Sequence, residues 1–109
     1  MKIENIPFHL INWDEVEVVE VPGLTGTAMS KIWELGNIRV RLVQYLADYQ
    51  ANHWNHRGQI VLVLAGQLEI TFTNDRAITV QAGETFVVGD NTEAHQIAST
   101  AGATVFMVD

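Results

Sequence analysis

Two short stretches of the 109-residue chain carry the side chains best suited to chemistry. Asn52-His53-Trp54-Asn55-His56-Arg57-Gly58-Gln59 supplies two imidazoles and three side-chain amides, and Asn91-Thr92-Glu93-Ala94-His95 supplies a further imidazole. Imidazole is a strong ligand for divalent cations, and two or three rings converging from adjacent strands make an open site. The same rings are candidates for a general base in proton transfer. The remaining histidine, His9, lies beside Pro7 and Phe8 and is read as local packing. Arg39 and Arg41 share one face of a strand-like run, where they would clamp a carboxylate if that face were inward. The alternation of Ile38, Val40 and Leu42 reads as the inner face instead, which turns both arginines outward. Trp54 and Tyr45 are aromatic candidates for a pocket wall, although aromatics in a small domain are read first as core.

Other chemistries are absent from the sequence. With no cysteine, there is no disulfide framework, no thiolate nucleophile and no Cys-based zinc site. No Ser/His/Asp arrangement stands out in order or spacing, and no glycine-rich loop follows a strand and opens a helix. Thirteen acidic against six basic residues give a net charge of −7, which repels phosphate backbones and anionic lipid and disfavours nucleic-acid and membrane partners. Asp14, Glu15, Glu17 and Glu20 crowd together and read as a solvated edge. Neither a signal-peptide pattern nor a long apolar stretch is present, so a soluble, cytoplasmic protein is expected.

The elements that must position these residues are strands. Ile38, Val40 and Leu42 alternate with Arg39, Arg41 and Val43, and Leu68, Ile70 and Phe72 alternate with Glu69, Thr71 and Thr73, a period of two. Residues 60–65 (IVLVLA) are apolar on both faces, as in a strand covered on both sides. Further strand-like runs occupy residues 16–21, 28–35, 78–80, 85–88, 95–98 and 103–108. Turn chemistry separates them at Pro22-Gly23, Gly36-Asn37, Ala65-Gly66, Asn74-Asp75, Ala82-Gly83, Gly89-Asp90-Asn91 and Gly102. Residues 11–18 alone could form a short helix, and their β-branched content argues against it. Short strands between closely spaced turns predict a single all-β domain, a sandwich or barrel.

The order of these residues resembles the cupins, small jelly-roll β-barrels with two signature segments. His53 stands at the first histidine of their first motif, Asn55 at the second, Gln59 at the glutamate, and Gly66 closes it with six residues between. In the second motif Gly83 opens the segment, Gly89 stands at the proline, Asn91 at the glycine, and His95 follows one residue late. The tract 36–45 (GNIRVRLVQY) followed by Asn52-His53-Trp54-Asn55 is similar to a group of short bacterial cupins described by a DHCW motif.

The resemblance implies a cupin-type jelly-roll barrel over residues 38–108. It also implies a metal-centred site, with His53, Gln59 and His95 at matching positions. Amides replace one imidazole and the carboxylate, so His56 joins as the substitute, giving His53, His56, Gln59 and His95 as the ligand set for a divalent metal (zinc, nickel, iron or manganese). The expected function is binding of a small organic molecule in the barrel through a weak metal, with His95 or His56 as base if proton transfer occurs. The alternative is a metal-free binding or assembly module. A homodimer is expected in each case, with the N-terminal strands of residues 1–35 covering an edge of the partner.

Overall fold

The computed structural model describes residues 1–109. A single 3₁₀ turn, Trp13–Glu15, is followed by nine strands: β1 (Val19–Pro22), β2 (Thr27–Leu35), β3 (Ile38–Tyr45), β4 (Tyr49–Gln50), β5 (Gln59–Phe72), β6 (Ala77–Gln81), β7 (Thr85–Val88), β8 (His95–Ser99) and β9 (Ala103–Val108). All pairings are antiparallel. One sheet runs β1-β2-β3-β9, continues into the first half of β5 and ends on β7; the other joins β4, β8, the second half of β5 and β6. This is the all-β jelly roll expected from the sequence. No helix is long and apolar enough to cross a membrane.

Strand β5 joins the two sheets. A turn was expected at Ala65-Gly66, but the chain continues as a strand through an irregularity between Val63 and Ala65, where the register against β9 shifts. Gly66 sits at φ +72°, and a Cβ there would lie 2.2 Å from the Gly102 carbonyl oxygen. Glycine is therefore required at this bend both by conformation and by the close approach of β9. Past the bend, Leu68 and Ile70 point into the core beside Val80 and Ile97, as their alternation predicted.

The inner face of β3 is the reverse of the expected one. Val43 and Tyr45 belong to the core, and Arg41 shares their inward parity, lining the central cavity with them. Both faces of β3 carry apolar residues, so alternation alone did not decide between them. The deciding residue is Asp109, which continues the inward series Ala103, Val105 and Met107 of β9 and brings a counter-charge inside. Residues 60–65 also depart from expectation. Val61 and Val63 are fully buried, whereas Ile60 and Leu64 are 43% and 50% exposed, so the outer face of that strand is only partly covered within the chain.

Candidate functional site

A cavity of about 110 Å³ lies between the two sheets. Strands β2 and β3 supply Ala28, Ser30, Arg41, Val43 and Tyr45, while Tyr49, Ala51, His53 and Asn55 come from the segment that leads into β5. Gln59 opens β5, and His95 and Ile97 come from β8. Asn55 is held against β8 by a pair of backbone hydrogen bonds, Asn55 N–H to the His95 carbonyl at 2.8 Å and His95 N–H to the Asn55 carbonyl at 3.1 Å.

One hydrogen-bonded network organises the floor of this cavity. Arg39 donates to both carboxylate oxygens of Asp109, Nε to Oδ1 at 3.1 Å and Nη2 to Oδ2 at 2.9 Å. Arg41 Nη2 donates to Oδ2 at 2.8 Å, and Gln59 Nε2 donates to the same oxygen at 3.1 Å. Burial of Asp109 pushes its carboxyl upward, but the Arg41 charge, the Gln59 hydrogen bond and Arg39 outweigh it and hold the group below the usual carboxylate range. Asp109 is thus an anion that only accepts hydrogen bonds.

That fact propagates. Facing a carboxylate, Gln59 must present its NH₂ and turn its carbonyl the other way. Gln59 Oε1 then lies 3.0 Å from His95 Nε2, while His95 Nδ1 lies 3.2 Å from the Glu93 carbonyl oxygen; both oxygens only accept, and the shorter contact assigns the proton to Nε2, which donates to Gln59. His95 is 1% exposed and Gln59 is as deeply buried, so neither has water as an alternative partner. The Phe86 ring packs edge-on against the imidazole at 5.9 Å between centroids and fixes its plane.

The residues singled out in the sequence are divided by the structure. Gln59 and His95 meet in a direct hydrogen bond. His53 stands at the exposed rim of the cavity, with Nδ1 2.9 Å from Asn52 Oδ1. Asn55 lines the cavity but commits its Oδ1 to the Arg57 N–H at 2.9 Å. His56 is exposed and stands outside the cavity lining, and it meets the turn after β7 only through its carbonyl, which accepts from Asn91 N–H at 2.8 Å. Tyr45 lines the cavity while Trp54 is exposed. His9 stacks on Trp33.

The donor set does not fit the divalent metal expected for His53, His56, Gln59 and His95. His95 Nε2 uses its nitrogen as a donor, so its lone pair is not available for coordination. Gln59 stands where an anionic ligand would balance a dication, and the one nearby carboxylate is already paired with two guanidinium groups. No group of three or more His, Cys, Asp or Glu side chains converges anywhere in the chain. His95 lines the cavity with Nε2 engaged by Gln59, whereas His56 stands outside the lining.

Sequence reasoning missed Asp109, Ser30 and Tyr49 and set Arg41 on the wrong face. The buried hydroxyl of Ser30 and the buried Nε of Arg41 have no hydrogen-bond partner. Burial pushes the Tyr45 phenol far above its ordinary range, and it raises Tyr49 as well, with the Arg41 charge opposing both shifts.

No protein-family model matches the chain, and no curated protein matches it. Solved structures match over nearly its full length. An RmlC-like cupin from Shewanella frigidimarina NCIMB 400 is 13% identical, with 94% of this chain and 90% of that chain covered at a TM-score of 0.72. A predicted oxalate decarboxylase from Thermotoga maritima is 13% identical, covering 92% of this chain and 96% of that chain with a TM-score of 0.72. Ectoine synthase from P. lautus is 12% identical, covering 93% and 76% with a TM-score of 0.73. At such identities the likeness concerns the fold, and the site must be argued from its own residues.

Proposed function

Starting from the fact that this chain has the cupin fold, we propose that it is a metal-independent binding barrel for a small organic molecule. One observation carries the reading: two buried donors, Ser30 Oγ and Arg41 Nε, stand unpartnered in the wall of one cavity. Leaving a buried polar group unsatisfied costs about 1–3 kcal/mol, more for a charged one. Two such groups in a single cavity, on a framework otherwise satisfied by the Arg39–Asp109–Gln59–His95 network, are what a site awaiting a hydrogen-bonding ligand would present. An engineered cavity of about 150 Å³ accepts benzene, so the 110 Å³ here suits a molecule of a few heavy atoms reaching toward the rim at His53.

The test is a chemical-shift screen of EDTA-treated, isotope-labelled protein against a library of small polar fragments. The expected result is a set of binders that shift the amides of Ser30, Arg41, Asn55 and Ile97, without added metal. Binding that appears only after zinc or manganese is added, or shifts that cluster away from the cavity, would overturn the reading. We also propose that the exposed Ile60, Leu64 and Val87 of the outer sheet face pair with a second copy of the chain. A sedimentation coefficient of a monomer at tens of micromolar would remove that proposal.

A further inference from the structure

Resting on that reading, we infer that the occupant is a small monocarboxylate whose two oxygens are held by Arg41 Nε and Ser30 Oγ. Ser30 pairs with Val43 and Ile32 with Arg41 across the β2–β3 ladder, so Ser30 and Arg41 are diagonal neighbours on the inner face. Diagonal positions lie within reach of a long side chain, and both groups wall the same cavity. Ser30 is 3% exposed, and neither its hydroxyl nor Arg41 Nε has a partner elsewhere.

Charge selects the ligand further. The guanidinium groups of Arg39 and Arg41 face the single carboxylate of Asp109, which leaves one uncompensated positive charge beside the cavity. A monoanion balances it, whereas a dianion would bring a second buried negative charge with no cation to meet it. Arg41 gives Nη2 to Asp109 while its Nε stays unpartnered, so one guanidinium can bridge an internal and an external carboxylate through separate N–H groups. Val43, Tyr45, Tyr49 and Ile97 provide an apolar and aromatic wall for the rest of the molecule.

The experiment titrates acetate, isobutyrate and benzoate against the labelled protein, alongside acetamide, isobutyramide and benzamide, with inorganic phosphate as a further anion. The inference expects at least one acid to bind in the cavity tenfold or more tightly than its amide, since charge-assisted hydrogen bonds are roughly twice as strong as neutral ones. Arg41→Lys keeps the charge facing Asp109 but has no Nε, and should weaken the acid by about tenfold. Ser30→Ala removes an unsatisfied hydroxyl, so its fold should be intact, and it should also weaken the acid while leaving the amides nearly unchanged.

Amides that bind as tightly as acids, or acid affinities unmoved in both variants, overturn the carboxylate while leaving a metal-free barrel standing. Phosphate binding as tightly as the acids overturns it in favour of a general anion site. Neutral fragments occupying the cavity while all three acids fail would overturn the inference alone. Failure of every fragment and every acid removes both readings together.

Discussion

Replacing Asp109 by Asn removes the one anion that holds the cavity floor together, and the cost can be worked from the network. Removing one member of a buried ion pair costs about 3–5 kcal/mol because the partner charge stays buried and unpaired. The Asp109 side chain is fully buried, but Arg41 is 19% and Arg39 33% exposed, so solvent recovers part of the loss. An intermediate figure of about 3 kcal/mol follows, and at about 4 °C per kcal/mol for a domain of this size it lowers Tm by on the order of 12 °C. The assay is urea and thermal unfolding of both proteins across pH 2–8. Asp109 has its folded-state value below the unfolded one, so its contribution is complete above the ordinary carboxylate range and disappears as pH falls through the lower folded value. The wild-type advantage should therefore vanish in strong acid. A difference under about 1 kcal/mol at pH 7, or one that persists unchanged in strong acid, would show that the Asp109 ion pairs behave as screened surface contacts and that the chain of hydrogen-bond assignments leading to His95 does not hold.

Gln59→Glu introduces a carboxylate where the resembling cupin motif has one but places it beside Asp109, the two positions now joined by a 3.1 Å hydrogen bond. Like-charge repulsion should destabilise the variant by about 1–3 kcal/mol at pH 7, and by less as falling pH protonates the new acid, and elemental analysis should find no stoichiometric metal; a stable, metal-loaded variant would contradict the site described here. Gly66→Ala should cost at least about 2 kcal/mol, because the added Cβ meets backbone at 2.2 Å in a left-handed conformation. Gly83→Ala, at φ +88° with open space around it, should cost about 1 kcal/mol from backbone strain alone; chemical denaturation compares the two. At the alkaline end, burial raises Tyr45 and Tyr49 above the ordinary value of 10.0. Their neutral forms stabilise the fold fully below that value, and stability measured by denaturation should decline as pH rises past about 10.

The fold was legible because alternation and turn glycines are local signals. The runs 28–35, 85–88 and 103–108 overlap β2, β7 and β9 almost residue for residue, and the short β4 (Tyr49–Gln50) escaped because two residues carry no period. The site was less legible. Histidines drew attention through their chemistry, yet their roles follow from partners far along the chain. His95 is a donor because Gln59 turns toward it, and Gln59 turns because Asp109 is ionised by arginines about 70 positions earlier. Arg39 and Arg41 share parity with Val43 and Tyr45 as well as opposing Ile38, Val40 and Leu42, so both faces of β3 offered an apolar series. The phase of Asp109 with Ala103, Val105 and Met107 was the one local signal for a buried anion, and it gains meaning only when a strand bearing cations lies beside it.

The passage of β5 through both sheets bears on how the chain reaches this structure. Its residues pair with β6, β7, β8 and β9, so every pairing partner of β5 lies downstream of it and most close long loops before any contact rewards them. Loop closures of that kind slow folding, and a β-rich topology of this size belongs on the millisecond-to-second scale. The amides of Val61, Val63, Leu68 and Ile70, on fully or nearly fully buried residues, should exchange with solvent only through global opening. Those of β1, an edge strand with all four residues exposed, should exchange through local fraying at far smaller cost. The protein is therefore expected to lose its first strand repeatedly while the bent central strand holds until the whole barrel unfolds.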